Sequence, residues 1–205
     1  MEIAPENMAV KPVMTTTRLF SMAPWLFLFL IPAITMRTFA EEKKAGTIEL
    51  LMTRPLSDWD IILGKYFSAF TLVLFAIFPT LIYFFSLYYL GNPQGNLDIA
   101  GIAGSYIGLA LLGAVFTSIG ILASSITENQ IIAFVIAVFF CFIFYSGFAS
   151  FASINVWQAS SLFIEQLGIL YHYSSMSKGL IDSRDLVYFF SVIMIMLLIT
   201  HLNLG

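Results

Sequence analysis

Charge is the scarcest commodity in this chain. Only 10% of its 205 residues are Asp, Glu, Lys or Arg, while 60% are hydrophobic and the mean hydropathy is +0.92. Soluble domains carry roughly 25% charged residues. A surface so poor in charge excludes a water-soluble globular class and points to a polytopic membrane protein. The net charge of −3 excludes the basic surface that a nucleic-acid partner requires. Cysteine is nearly absent. Cys141 stands alone inside an apolar run, so no intrachain disulfide forms and the redox compartment stays open. Residues 1–17 lack the charged start, apolar core and small-residue cleavage site of a signal peptide.

Catalytic constellations are missing as well. Gly64-Lys65 is followed by Tyr66, and Trp59 stands where a phosphate-binding loop needs its first glycine. The chain therefore has no Walker A loop, is not expected to be an enzyme, and must draw any ATP-derived energy from a separate subunit. No Ser/His/Asp set, paired carboxylate or metal motif falls within the apolar runs. Those runs carry almost no charge, so a proton relay or ion path has little support.

What is abundant is long, uninterrupted apolar sequence. Continuous rather than alternating runs favour an all-α transmembrane helical bundle over a barrel. Five spans are expected, at about 19–36, 67–90, 99–126, 131–154 and 186–204. Each has the roughly 18–25 residues that cross about 30 Å of hydrocarbon. The third is longer than it needs to be, so tilt or projection is expected. Pro24, Pro32 and Pro79 fall inside spans, where a bundle tolerates kinks.

The connections differ in character. "GNPQGNLD" is a turn-rich polar loop. "SITENQ" is short, and Thr127 with Gln130 reads as a capping box for the fourth span. Residues 155–185 form a half-apolar connection in which Leu162, Phe163, Leu167 and Leu170 predict one short interfacial or re-entrant helix. Lys178, Asp182, Arg184 and Asp185 read as interfacial anchors and ion pairs. Lys and Arg divide five against four between the two sides, and their density places the 37–66 loop in the cytoplasm. The C-terminus would share that side, and residues 1–17 would lie outside.

The 37–66 loop holds the densest charge. In "EEKKAGTIELLM", Ala45, Ile48, Leu51 and Met52 fall on one helical face, which predicts a surface helix over Glu41–Met52. Gly46 is expected inside it, at a cost of about 1 kcal/mol, admitting another backbone. Pro55 then breaks the chain. Ser57 with Asp60 three residues on fits a helix-start box. The plain reading is an in-plane spacer between spans; the sharper one is a docking surface.

The stretch "FAEEKKAGTIELLMTRPLSDWDIILGKY" resembles the cytoplasmic loop of ABC-2-type transporter permeases, E-x-x-x-G-T-x-E-L-L-x-T-x-P-x-x-x-x-x-I-x-x-G-K. Glu42, Gly46, Thr47, Glu49, Leu50, Leu51, Thr53, Pro55, Ile61, Gly64 and Lys65 match. "APWLFLFLIPAITMRTFAEEK", "LGNPQGNLD", "TENQ" and "HYSSMSKGLIDSRDLVYFFSV" extend the likeness over the whole chain. The pattern is similar to the gliding-motility-associated ABC permease, and the nitrous-oxide reductase maturation permease shares much of it. The resemblance implies a single transmembrane domain over 1–205 in a bacterial inner membrane. It implies six spans, so a first span is expected to be missing here. It implies that Glu41–Met52 is a coupling helix seated on an ABC ATPase subunit. Glu41, Glu42, Gly46, Thr47, Glu49, Leu50, Leu51, Pro55, Gly64 and Lys65 would be the loop's contacts. ATP and magnesium would sit on that partner, with no cofactor on this chain. A second permease copy or a homologous permease, and membrane lipid, would complete the surroundings. A non-transporting component of a motility or secretion machine is the alternative class, with a copper-linked maturation permease beside it.

Two other features stand out. The third span is rich in small residues, and Gly104-x-x-x-Gly108 is a close-packing motif. It serves packing within the chain, or a permease–permease interface, or a wall of a transport path. His172 and Met176, four apart, are two soft-metal ligands, too few for a site.

Overall fold

A computed structural model describes residues 6–48, 57–90, 99–153, 161–180 and 182–204. Every element in them is helical. In chain order they are α1 (Glu6–Thr35), α2 (Ala40–Ala45), α3 (Asp58–Ile77), α4 (Thr80–Leu90), α5 (Ile99–Ile126) and α6 (Gln130–Phe142). A π-helical turn, Ile143–Gly147, carries α6 into α7 (Phe148–Ala152). Then come α8 (Ser161–Gln166), α9 (Ile169–Met176) and α10 (Ser183–Leu204). Five helical stretches are long and apolar enough to cross a membrane: Phe20–Ala45, Asp58–Ser86, Ile99–Ile126, Gln130–Ala152 and Ser183–Leu204. The polar "GNPQGNLD" loop lies outside the described residues.

α5 is the axis. α1, α3, α6, α9 and α10 all pack on it, and Leu112, Val115, Phe116, Ile119 and Ile121 are fully enclosed. Its small residues make this closeness feasible. A Cβ at Gly113 would stand 2.8 Å from Val73, and one at Gly120 would overlap the Thr35 hydroxyl. Lipid gives no hydrophobic drive to helix pairing, so such close backbone packing supplies the attraction instead. The outer helices show the inverse pattern. Phe67, Phe75, Phe78, Ile82 and Phe85 on α3–α4, and Val187, Phe190 and Met194 on α10, face outward. Large exposed apolar side chains on long apolar helices are what a hydrocarbon solvent selects.

The prolines act differently. α1 continues through Pro24 and Pro32. At Pro79 the second span divides into α3 and α4, and the Thr80 hydroxyl donates to the Ile77 carbonyl at 2.6 Å. Tyr106 from α5 donates to the Thr80 carbonyl at 2.9 Å. Side chains thus engage the carbonyls around the break, the substitution a membrane helix needs.

Four expectations are corrected. The surface helix does not run from Glu41 through Gly46. It stops at Ala45, because Gly46 takes a left-handed φ of 68°. The Gly46 amide donates to the Lys43 carbonyl and the Thr47 amide to the Glu42 carbonyl, a C-terminal cap that suits glycine because it bears no Cβ. A Cβ built at Gly46 would meet no described atom within 4 Å, so it is the backbone conformation that calls for glycine within this chain. Secondly, Thr127 and Gln130 do not form the capping box. Asn129 caps α6 by accepting from the Ile131 amide at 2.9 Å, and Thr127 accepts from the Asn129 amide. Thirdly, the described part of the 155–185 connection holds two short helices rather than one, divided at Leu167–Gly168. Fourthly, Asp185 is not an exposed anchor: it is buried at 5% exposure and takes the other expected role, an ion pair, with His172.

Candidate functional site

One end of the bundle gathers the start of α3, the ends of α5 and α10, and all of α2. The site is built from the loop outward. α2 has only six residues, too few to persist alone. It is held in place from outside. The Phe39 and Ala40 amides at its start have no acceptor in their own helix. The Ser124 hydroxyl, in the last turns of α5, accepts both at 2.9 and 3.0 Å and donates to the Met36 carbonyl at 3.1 Å. Phe39 and Ala40 are buried beside it.

The C-terminal carbonyls of α5 are likewise filled by distant side chains. Lys43 of α2 donates its Nζ to the Ser125 carbonyl, and Asn203 of α10 reaches the same oxygen at 2.8 Å. A cation on helix-terminal carbonyls also meets the negative end of the helix dipole. α3 closes the ring. Its first turn carries the expected capping box, with Ser57 and Asp60 each bonding the other's backbone amide. One turn further, Lys65 Nζ lies 2.6 Å from Glu42 Oε1 and donates to the Thr38 carbonyl at 2.6 Å, over the Phe39 ring. Glu42 Oε2 is buried with no hydrogen-bond partner among the described residues. Trp59 stacks on His201 of α10 at 4.9 Å.

The loop residues therefore sort by direction. Glu42 and Lys43 turn inward and are committed to Lys65 and Ser125. Glu41, Lys44, Ala45, Gly46 and Thr47 are exposed. Gly64 is exposed too, with nothing within 4 Å of its Cβ position. Glu49, Leu50, Leu51, Thr53 and Pro55 lie outside the described residues. Ser124, Ser125 and Asn203 were missed as site residues. The available signal was polar side chains in the last turn of two apolar helices, where carbonyls lack partners.

A family model for the ABC-2 family transporter protein matches residues 7–204. The chain belongs to the ABC-2 transporter family. No curated protein and no solved structure matches it. An ABC-2 permease is a multi-pass membrane component of an ABC transporter, and the family in general works with an ABC ATPase. The ring around α2 joins three of this permease's five candidate spans to one short exposed helix.

At the opposite end of the bundle, Gly104 and Gly108 face α9. A Cβ on Gly104 would stand 2.6 Å from the Met176 carbonyl, and one on Gly108 3.3 Å from the Met176 side chain. His172 has both ring nitrogens engaged, with Nδ1 2.7 Å from Asp185 Oδ1 and Nε2 2.9 Å from the Gln166 carbonyl. It offers no free ligand position. Among the described residues no group of three or more His, Cys, Asp or Glu could hold a metal.

Proposed function

We propose that this chain is the permease subunit through which ATP hydrolysis on a separate ABC ATPase drives export across a bacterial inner membrane. The observation that carries the reading is the double anchoring of α2. Its start is fixed to α5 through Ser124, and its middle to α3 through Glu42–Lys65. A force on the exposed face at Glu41, Lys44 and Thr47 would reach the central helix and the second span together. ATP and magnesium would be bound by the partner, and two permeases, identical or homologous, would face two ATPases. The likeness of "GNPQGNLD" and "HYSSMSKGLIDSRD" to the gliding-motility permease supports work in that machine.

The test is association with a candidate ABC ATPase from the same organism, identified by its co-purification with the wild-type chain. Charge reversal at exposed Glu41 (Glu41→Lys) is expected to weaken co-purification at least about tenfold, the loss of one well-placed charged contact. It should leave the permease as stable as before. Co-purification at the wild-type level would overturn the reading.

A further inference from the structure

At the end of the bundle away from α2, the short helix α9 is set between Gly168 and Gly179, the latter at a left-handed φ of 80°. Glycine tolerates the φ changes that swinging such a short helix would require. In this structure it is shut. Met176 is fully buried against Gly108, and the Gly104 position has no space for a Cβ. The Ser105 hydroxyl lies 3.2 Å from the Ser177 carbonyl, and Tyr173 donates to the Phe20 carbonyl of α1 at 2.8 Å. α9 thus covers the small-residue face of α5 at this end.

We propose that His172 and Asp185 form the latch that holds α9 down, so that they position the outer gate of the permease. His172 comes from α9, and Asp185 from the first turn of α10. Their contact at 2.7 Å is the only salt bridge among the described residues that ties α9 to a spanning helix. Both side chains are buried, and Tyr188 stacks on the imidazole at 4.0 Å. The Gln166 carbonyl can only accept, so Nε2 faces it as the donor and Nδ1 is left facing Asp185 Oδ1. The latch is also built to release. Asp185 Oδ2 is buried without a hydrogen-bond partner among the described residues. A bare carboxyl oxygen penalises the closed state, and opening relieves it by admitting water. A fully satisfied pair would hold too firmly for a part that must move in each cycle.

The term outer gate rests on the orientation adopted under the proposed function. The latch itself does not, and it is tested on the permease alone in lipid nanodiscs. Met176→Cys places a thiol under α9, and buried Cys141 reports on the rest of the bundle. Labelling by a water-soluble maleimide is read peptide by peptide. Asp185→Ala and His172→Ala are each expected to speed labelling at position 176 at least about tenfold, as the loss of a charge-assisted bond predicts. Cys141 should stay protected, and the double variant should be no faster than His172→Ala alone, because the His172–Asp185 contact is already lost in that variant. Unchanged labelling at position 176 would overturn the latch. So would additive effects of the two substitutions, or Cys141 becoming reactive in parallel. Loss of ATPase association would bear on the proposed function and leave these rates as they are.

Discussion

The Tyr173 hydroxyl donates to the carbonyl of Phe20 at 2.8 Å, and Phe20 is the residue whose helical partner would have been Pro24. Proline has no N–H to give, so that carbonyl is left without its i+4 donor inside α1. Burial, with Tyr145 adding to it, pushes the Tyr173 phenol above its ordinary range, so it remains a donor. Tyr173→Phe should cost about 1 kcal/mol, the net worth of one hydrogen bond. In a Pro24→Ala background the same change should cost clearly less, since the alanine amide restores the helical bond. Denaturant unfolding of the four proteins in a double-mutant cycle checks this, and additive losses would contradict it.

Two helical glycines make opposite predictions. Gly104→Ala drives a Cβ to 2.6 Å from the Met176 carbonyl, a backbone atom that cannot swing away. A loss of about 1–3 kcal/mol is expected, with α9 displaced. Gly64→Ala meets nothing within 4 Å and should gain up to about 1 kcal/mol from helix propensity. If Gly64→Ala is stable yet no longer associates with the ATPase, the glycine serves the partner and not the fold. Thermal unfolding beside co-purification separates the two.

The spans were legible because lipid imposes one strong rule, and Ile99–Ile126 matches the length of its apolar run to the residue. The Ser57–Asp60 box was legible because both partners lie within one turn. What stayed hidden was pairing across the chain. Ser124 and Phe39 are 85 residues apart, and nothing local to either announces the other. Gly46 was misplaced for a different reason. Apolar spacing over Ala45, Ile48 and Met52 reads as one helix, but a left-handed glycine between them ends α2 without changing that spacing. His172 and Asp185 were each noticed, and their meeting required the fold of α9 onto α10.

Lys65 and Glu42 should behave as a coupled pair. Lys65→Met leaves Glu42, whose Oε2 already lacks a partner among the described residues, without its cation. It also removes the donor on the Thr38 carbonyl. A loss of about 1–3 kcal/mol is expected. Glu42→Gln keeps an acceptor for Lys65 and should cost less. Lys65→Met combined with Glu42→Gln should be milder than the sum of the two, because no unpaired, half-buried carboxylate is then left. Urea titration of the purified permease in detergent is the measurement.

The two serines that end α5 offer the sharpest contrast. Ser124 holds α2 through its hydroxyl, which accepts from the Phe39 and Ala40 amides. Ser125 holds Lys43 through its main-chain carbonyl and Asn203 chiefly through the same oxygen, while its own hydroxyl donates back to the Leu122 carbonyl and accepts from Asn203 Nδ2 at 3.2 Å. Ser124→Ala therefore removes a helix cap supplied from another helix and should cost about 0.5–2 kcal/mol. Ser125→Ala spares the carbonyl and should leave the loop where it is. Hydrogen exchange over Phe39–Ala45 should quicken in the first variant and stay near wild type in the second. Because each change deletes one hydroxyl from a buried serine, loss of packing alone would make the two alike. Equal exchange in both would mean that α2 is held by burial of Phe39 rather than by Ser124.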